Sequence, residues 1–124
     1  MITTAKKYHH FLIVEDEGDL CLLLELLLES KRIKLSHARN IADAQLVLKE
    51  GRPDVILLDN RLPDGFGIDI IGDIKSELPA VRIIMMSGSD PALRDLALDG
   101  GADRFLAKPF TQKQLHESIN GVLE

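Results

Sequence analysis

A chain of 124 residues is the size of one domain, long enough for folding to bury roughly two thirds of the surface its unfolded form exposes. A single cysteine excludes an internal disulfide, and a chain of this length needs neither disulfide nor structural metal to fold. The net charge of -5 argues against a broad electrostatic grip on nucleic acid, and no secretory start or uninterrupted apolar span is present, so the expectation is a soluble cytoplasmic protein that does not engage a membrane.

Residues 1–9 are polar and aperiodic and read as an N-terminal tail. His9 and His10 lack partners at metal-ligand spacing, which leaves them a surface role or the start of a strand. His10 to Val14 is a short apolar strand that runs into Glu15, Asp16 and Glu17. Three adjacent carboxylates repel one another; such a cluster belongs in open solvent or beside a hard cation. Gly18 and Asp19 open a helix with Leu20, Leu23, Leu24, Leu27 and Leu28 at helical spacing, and Cys21 among them reads as a small buried hydrophobe. Leu22 and Leu26 lie beside that stripe, where they either widen the buried face or form a docking surface.

Ile33 to Ala38 alternates apolar and polar, the pattern of an edge strand. Asn40, with Asp43 three positions on, starts a helix through Ile41, Ala44, Val47 and Leu48 that stops at Gly51. The next stretch, Asp54 to Asp59, holds four consecutive apolar residues between Pro53 and a Pro63-Asp64-Gly65 turn signal, so it reads as a strand buried on both faces. It ends on a carboxylate. Gly65 to Leu78 carries Ile68, Ile71, Ile74 and Leu78 at helical spacing and predicts a helix ending at Pro79, with Gly72 inside it. Val81 to Met86 is a fourth strand delivering Ser87, Gly88 and Ser89 to a loop. Asp90 and Pro91 form an N-cap followed by proline, and Gly100-Gly101 closes that helix. Asp103 to Ala107 is a fifth strand leading to Lys108 and Pro109. Thr111 and Gln114 make a capping box for a last helix whose apolar face is Leu115, Ile119, Val122 and Leu123.

Five strand-helix repeats predict an α/β fold, a doubly wound parallel sheet with right-handed crossovers. In such a sheet the strand carboxyl ends share one edge, which gathers Glu15, Asp16, Asp59, Ser87 and Lys108. The carboxylates offer hard oxygen ligands suited to Mg²⁺, and the lysine offers a point charge suited to a phosphoryl oxygen. The pattern fits phosphoryl transfer to a carboxylate.

From about residue 10 to the end, the chain resembles a response-regulator receiver domain, the phosphoacceptor half of two-component signalling, on five separated motifs in matching order. The resemblance implies a flavodoxin-like (βα)5 fold of strand order 2-1-3-4-5, an order that the chemotaxis receiver also illustrates. It implies phosphorylation of Asp59 by a histidine kinase or histidine phosphotransfer protein. It further implies Mg²⁺ held by Asp16, Asp59 and the backbone carbonyl of Arg61, with Glu15 acting mostly through a metal-bound water. Ser87 and Lys108 would contact phosphoryl oxygens, Phe105 would be the aromatic switch, and the Lys108-Pro109 bond would be cis. The output face would be the fourth helix, fifth strand and fifth helix, with Leu93, Arg94, Leu96, Lys113, His116 and Glu117 as candidates to meet a downstream effector or an output domain. Such a domain is a signalling module rather than a dedicated enzyme.

Departures from the family pattern are Glu15 where Asp is commonest, Gly88 where Ala is usual, and Phe105 in place of the commoner Tyr. Arg61, beside Asp59, is expected to hold or block the path of hydrolytic water. Two rival chemistries fit less well: an aspartyl-nucleophile phosphatase wants a second acid where Arg61 stands, and Glu15-Asp16-Glu17 would repel a flavin phosphate. A third alternative is a receiver-like binding module that works without phosphorylation. No DNA-binding helix pair is present. The last helix leaves no room for an output domain before Glu124, which fits either a stand-alone receiver or one domain of a larger regulator or hybrid kinase.

Overall fold

The computed structural model describes residues 9–18, 22, 24–26, 33–88 and 90–123. Its centre is a five-stranded parallel sheet of β1 (His9–Val14), β2 (Ile33–Ala38), β3 (Val55–Asp59), β6 (Arg82–Gly88) and β7 (Arg104–Lys108), in the order β2-β1-β3-β6-β7. Counting only the sheet strands, this is the expected 2-1-3-4-5 order of a flavodoxin-like fold. Helix α1, described at residues 18, 22 and 24–26, follows β1. The remaining helices are α2 (Ile41–Gly51), α3 (Ile71–Glu77), α4 (Pro91–Asp99) and α5 (Gln112–Leu123).

The alternation of side chains along β3 explains its continuous apolar run. Ile56 and Leu58 point into a core layer with Leu12, Val14, Ile83 and Met85 beneath α2, α3 and α4. Val55 and Leu57 point the other way, into a layer with Phe11, Ile13, Ile84 and Met86 that also takes in Leu24, Leu115 and Ile119. These four apolar side chains of β3 are at most 1% exposed, so truncating Leu57 to alanine would cost about 2–5 kcal/mol.

Local chemistry sets most helix ends as expected. Asn40 Oδ1 accepts from the Asp43 N–H at 2.7 Å, and Asp90 Oδ1 accepts from the Ala92 N–H at 3.0 Å. Thr111 and Gln114 exchange two bonds, of 2.8 and 3.1 Å, as a reciprocal box.

The stretch after β3 departs from expectation. Instead of one helix over 65–78, a small antiparallel hairpin forms from β4 (Arg61–Leu62) and β5 (Gly65–Phe66), then a 3-10 turn over Gly67–Ile70, and only then α3. Backbone bonding explains the delay: the Gly67 N–H donates to the Asn60 carbonyl at 2.8 Å, and the Ile68 N–H donates to Asn60 Oδ1 at 3.1 Å. Both bonds tie the chain back to the end of β3, and the helical winding begins only there, with Gly67 as the first residue of the 3-10 turn.

Two further differences concern strands. The fourth strand of the sheet continues through Ser87 and Gly88, which pair with Ala107 and Lys108, so both lie in β6 and not in a loop. His9 opens β1, and His10 is a buried bridge with no surface role: Nδ1 lies 3.1 Å from the Gly51 carbonyl oxygen and Nε2 lies 2.7 Å from Ser36 Oγ. Leu24 is fully buried, whereas Leu22 and Leu26 are 57% and 60% exposed and do not widen the buried face. The expectations for residues 1–8, for Leu20, Cys21, Leu23, Leu27 and Leu28, and for Ser89 lie outside the described residues. Among the described residues no helix is long and apolar enough to cross a membrane.

Candidate phosphoacceptor site

Register brings the site together. Val14 pairs with Leu58, so Glu15 and Asp59 each stand one residue beyond the last shared rung of neighbouring strands. Asp59 pairs with Met86, and the Asn60 N–H adds a bond to the Met86 carbonyl at 3.2 Å, which leaves Ser87 one residue further along the adjacent strand. Lys108 ends β7 level with Gly88, just before the cis Lys108-Pro109 bond.

Lys108 Nζ lies 3.0 Å from Glu15 Oε2 and 3.1 Å from Asp59 Oδ1. Glu15 is wholly buried, Asp59 is 6% exposed and Asp16 faces solvent. Burial pushes the Glu15 carboxyl up to about 7. The Lys108 ammonium and the Glu17 N–H oppose that rise, and the charge of Asp59 adds to it. Burial also works against the charge on Lys108, but its bonds to Glu15 and Asp59 outweigh that, and its pKa lies above the ordinary lysine value. The ammonium therefore stays charged between two carboxylates.

Glu15, Asp16 and Asp59 each offer a carboxylate oxygen, and these atoms lie within 4.8 Å of one another. A hard, all-oxygen donor set of this kind, open to water at Asp16, fits Mg²⁺, which keeps several waters. Arg61 lies in the two-residue strand β4 with its side chain exposed. Ser87 is half-buried, and Phe105 is half-buried against the core layer beneath α2, α3 and α4. On the expected output face Leu96 is 63% exposed, Arg94 is exposed, Leu93 and His116 are half-buried, and Lys113 faces Glu117 at 3.9 Å.

Several residues that shape the site were not marked in advance. The Asn60 N–H donates to Asp59 Oδ1 at 2.9 Å, orienting the carboxylate from its own chain neighbour. His37 Nε2 lies 2.8 Å from the Glu15 carbonyl oxygen. Asp64 reads in sequence as a turn residue, yet its two oxygens accept from the Ile41 and Ala42 N–H groups at 2.8 and 3.0 Å, tying the hairpin after Asp59 to the start of α2. Only the Pro-Asp-Gly signal pointed there, and it does not reveal the distant partner. Those two bonds hold the Asp64 carboxyl below the usual carboxylate range, the one from Ile41 most strongly.

A doubly wound parallel sheet with an acid triad and a lysine at its carboxyl edge defines a class of α/β proteins with a charged site outside the strand ends. The sequence profile of the response regulator receiver domain matches residues 11–120, and the chain belongs to that family. Members are signalling modules of two-component response regulators rather than dedicated enzymes. The chain is 36% identical over 112 residues to the KDP operon transcriptional regulatory protein KdpE of Escherichia coli, covering 90% of this chain and 50% of that one. It is 38% identical over 111 residues to the response regulator protein PilR of Pseudomonas aeruginosa, covering 87% of this chain and 24% of that one. It thus spans half or less of these curated relatives. Among solved structures, the receiver domain of a signal transduction histidine kinase from Syntrophus aciditrophicus matches with a TM-score of 0.83 and 30% identity, over 93% of this chain and 89% of that one.

Proposed function

We propose that this receiver accepts a phosphoryl group on Asp59 from the phosphohistidine of a histidine kinase or histidine phosphotransfer protein, and signals by changing its output face. The observation that carries the reading is the Lys108 ammonium 3.1 Å from Asp59 Oδ1, beside two further carboxylates at the sheet's edge. An Asp59 carboxylate oxygen forms the new O–P bond, the P–N bond of the donor breaks, and the leaving imidazole nitrogen keeps the electron pair and takes a proton. Glu15, Asp16, Asp59 and the Arg61 backbone carbonyl would hold Mg²⁺, Glu15 mostly through a water. When bound, the ion neutralises charge on the phosphoryl oxygens.

Ser87 and Lys108 contact the transferred group. The product adds roughly -1.5 to -2 charge at Asp59, which draws both residues inward and opens space for Phe105. The surface of α4, β7 and α5 then changes for an effector protein or an output domain. Arg61 governs how long the acyl phosphate survives by occupying the path of water; Arg61→Ala with an unchanged lifetime would remove that role.

Intact mass after incubation with Mg²⁺ and acetyl phosphate tests the reading, with Asp59→Asn alongside. A gain of one phosphoryl group in the wild type alone is expected. No gain in either protein, with beryllofluoride also failing to bind, would favour a binding module that works without phosphorylation.

A further inference from the structure

We infer that His37 is a positioning residue of the acidic site, holding the peptide that carries Asp16 through an Nε2–H bond to the Glu15 carbonyl; this rests on the phosphoacceptor reading and adds a residue to it. His37 stands on the edge strand β2, level with Ile13, and its Nε2 lies 2.8 Å from the Glu15 carbonyl oxygen. A carbonyl oxygen only accepts, so that nitrogen carries the proton. The next residue, Ala38, accepts from the Glu15 N–H at 3.0 Å. Glu15 is thus gripped at both backbone groups by consecutive residues of one strand.

The two grips differ in kind. The bond to Ala38 is an extension of the ladder and forms whatever side chain stands at 37. The Glu15 carbonyl lies past the end of β1 at Val14, and there a side chain supplies the donor. That carbonyl belongs to the planar Glu15-Asp16 peptide, so fixing it fixes the direction in which Asp16 leaves the strand. Here a buried acid is followed at once by an exposed one, and both bring oxygens within 4.8 Å of each other and of Asp59. Residues that orient metal ligands without touching the ion commonly change affinity by roughly 10- to 100-fold when removed.

The test titrates wild type, His37→Gln and His37→Leu with Mg²⁺ at about pH 8, following amide chemical shifts, and measures phosphorylation by acetyl phosphate across the same Mg²⁺ range. Glutamine keeps an N–H donor of similar reach, and leucine has none. His37→Leu is expected to weaken Mg²⁺ binding about tenfold, His37→Gln to stay close to wild type, and all three to reach the same phosphorylation rate at saturating Mg²⁺. A general folding defect would not give that split. A His37→Leu protein that binds Mg²⁺ like wild type, or a His37→Gln protein as weak as His37→Leu, overturns the inference. Should His37→Leu lack a cooperative melt, His37→Asn, with an amide one methylene shorter, takes its place under the same expectations. A wild type that neither binds Mg²⁺ nor gains a phosphoryl group overturns the phosphoacceptor reading and this inference with it; unchanged variants beside an active wild type overturn the inference alone.

Discussion

Lys108 and Glu15, 93 positions apart in the chain, meet with Nζ 3.0 Å from Oε2, and the acid is fully buried. The same ammonium serves Asp59, so one cation is shared between two carboxylates. Removing it leaves buried negative charge without compensation. Lys108→Met is expected to lose about 2–3 kcal/mol of stability at about pH 8 in metal-free buffer, and to recover part of that loss when Mg²⁺ is added. Urea unfolding with and without Mg²⁺ checks both halves, and a variant as stable as wild type without the ion would contradict the sharing.

The raised pKa of Glu15, about 7, has a definite sign in stability. An acid whose folded pKa lies above its unfolded value, about 4.3, favours the fold when protonated. That contribution is whole below about pH 4.3 and is lost as pH rises to about 7, at up to roughly 1.4 kcal/mol per unit. In metal-free buffer the stability of wild type relative to Glu15→Gln is therefore expected to fall across this window and then run level. Thermal melts of both proteins over the pH series measure the difference directly.

Asp103 behaves in the opposite way. Burial alone would raise its carboxyl, but the Ile83 N–H at 2.9 Å, the Lys75 ammonium at 3.0 Å and Arg82 outweigh it and hold the pKa below the usual range. Its contribution is present above the unfolded value near ~3.9 and is lost as pH falls through the folded one. Asp103→Asn is expected to be less stable than wild type at neutral pH, with the gap closing below about pH 4. Acid titration followed by far-ultraviolet circular dichroism shows whether the two curves converge.

Gly67 leaves no room for a side chain. A Cβ there would overlap the Asp59 carbonyl oxygen and come within 3.0 Å of Leu58 Cγ. The obstacle is backbone, so the strand end carrying Asp59 must shift. Gly67→Ala is expected to cost about 1–3 kcal/mol and to slow phosphorylation by acetyl phosphate. Unaltered kinetics with an unaltered melting temperature would show that the contact yields freely.

Gly72 is the contrasting case: it lies in α3, is exposed, and a Cβ there meets nothing within 4 Å. Gly72→Ala is expected to stabilise the protein by about 0.5–1 kcal/mol through helix propensity alone, raising the urea midpoint with no change in slope.

The elements that sequence reading recovered are those whose signals are local. Apolar runs bounded by turn residues marked the five sheet strands, and Asn40, Asp90 and Thr111 marked helix starts that their side chains do cap. The acids and the lysine of the site were legible because strand carboxyl ends must converge in a parallel sheet. What escaped depends on partners far off in the chain. The isoleucines at 68, 71 and 74 carry a helical period, but the amides of Gly67 and Ile68 bond to Asn60 instead, which no periodicity reveals. His10 and His37 sit in ordinary strand patterns, and their ring bonds to Gly51, Ser36 and the Glu15 carbonyl exist only once strands and helix have packed.

The two bonds that Asp64 accepts from the first amides of α2 join a helix outside the site to the hairpin that follows Asp59. Amides in a helix's first turn have no carbonyl of their own helix to bond, so Asp64 is what shields Ile41 and Ala42 from solvent deuterium. Each release of the hairpin uncovers them together. Their hydrogen-exchange rates thus count the openings of the segment next to Asp59, turning two backbone protons of α2 into a clock for motion beside that carboxylate.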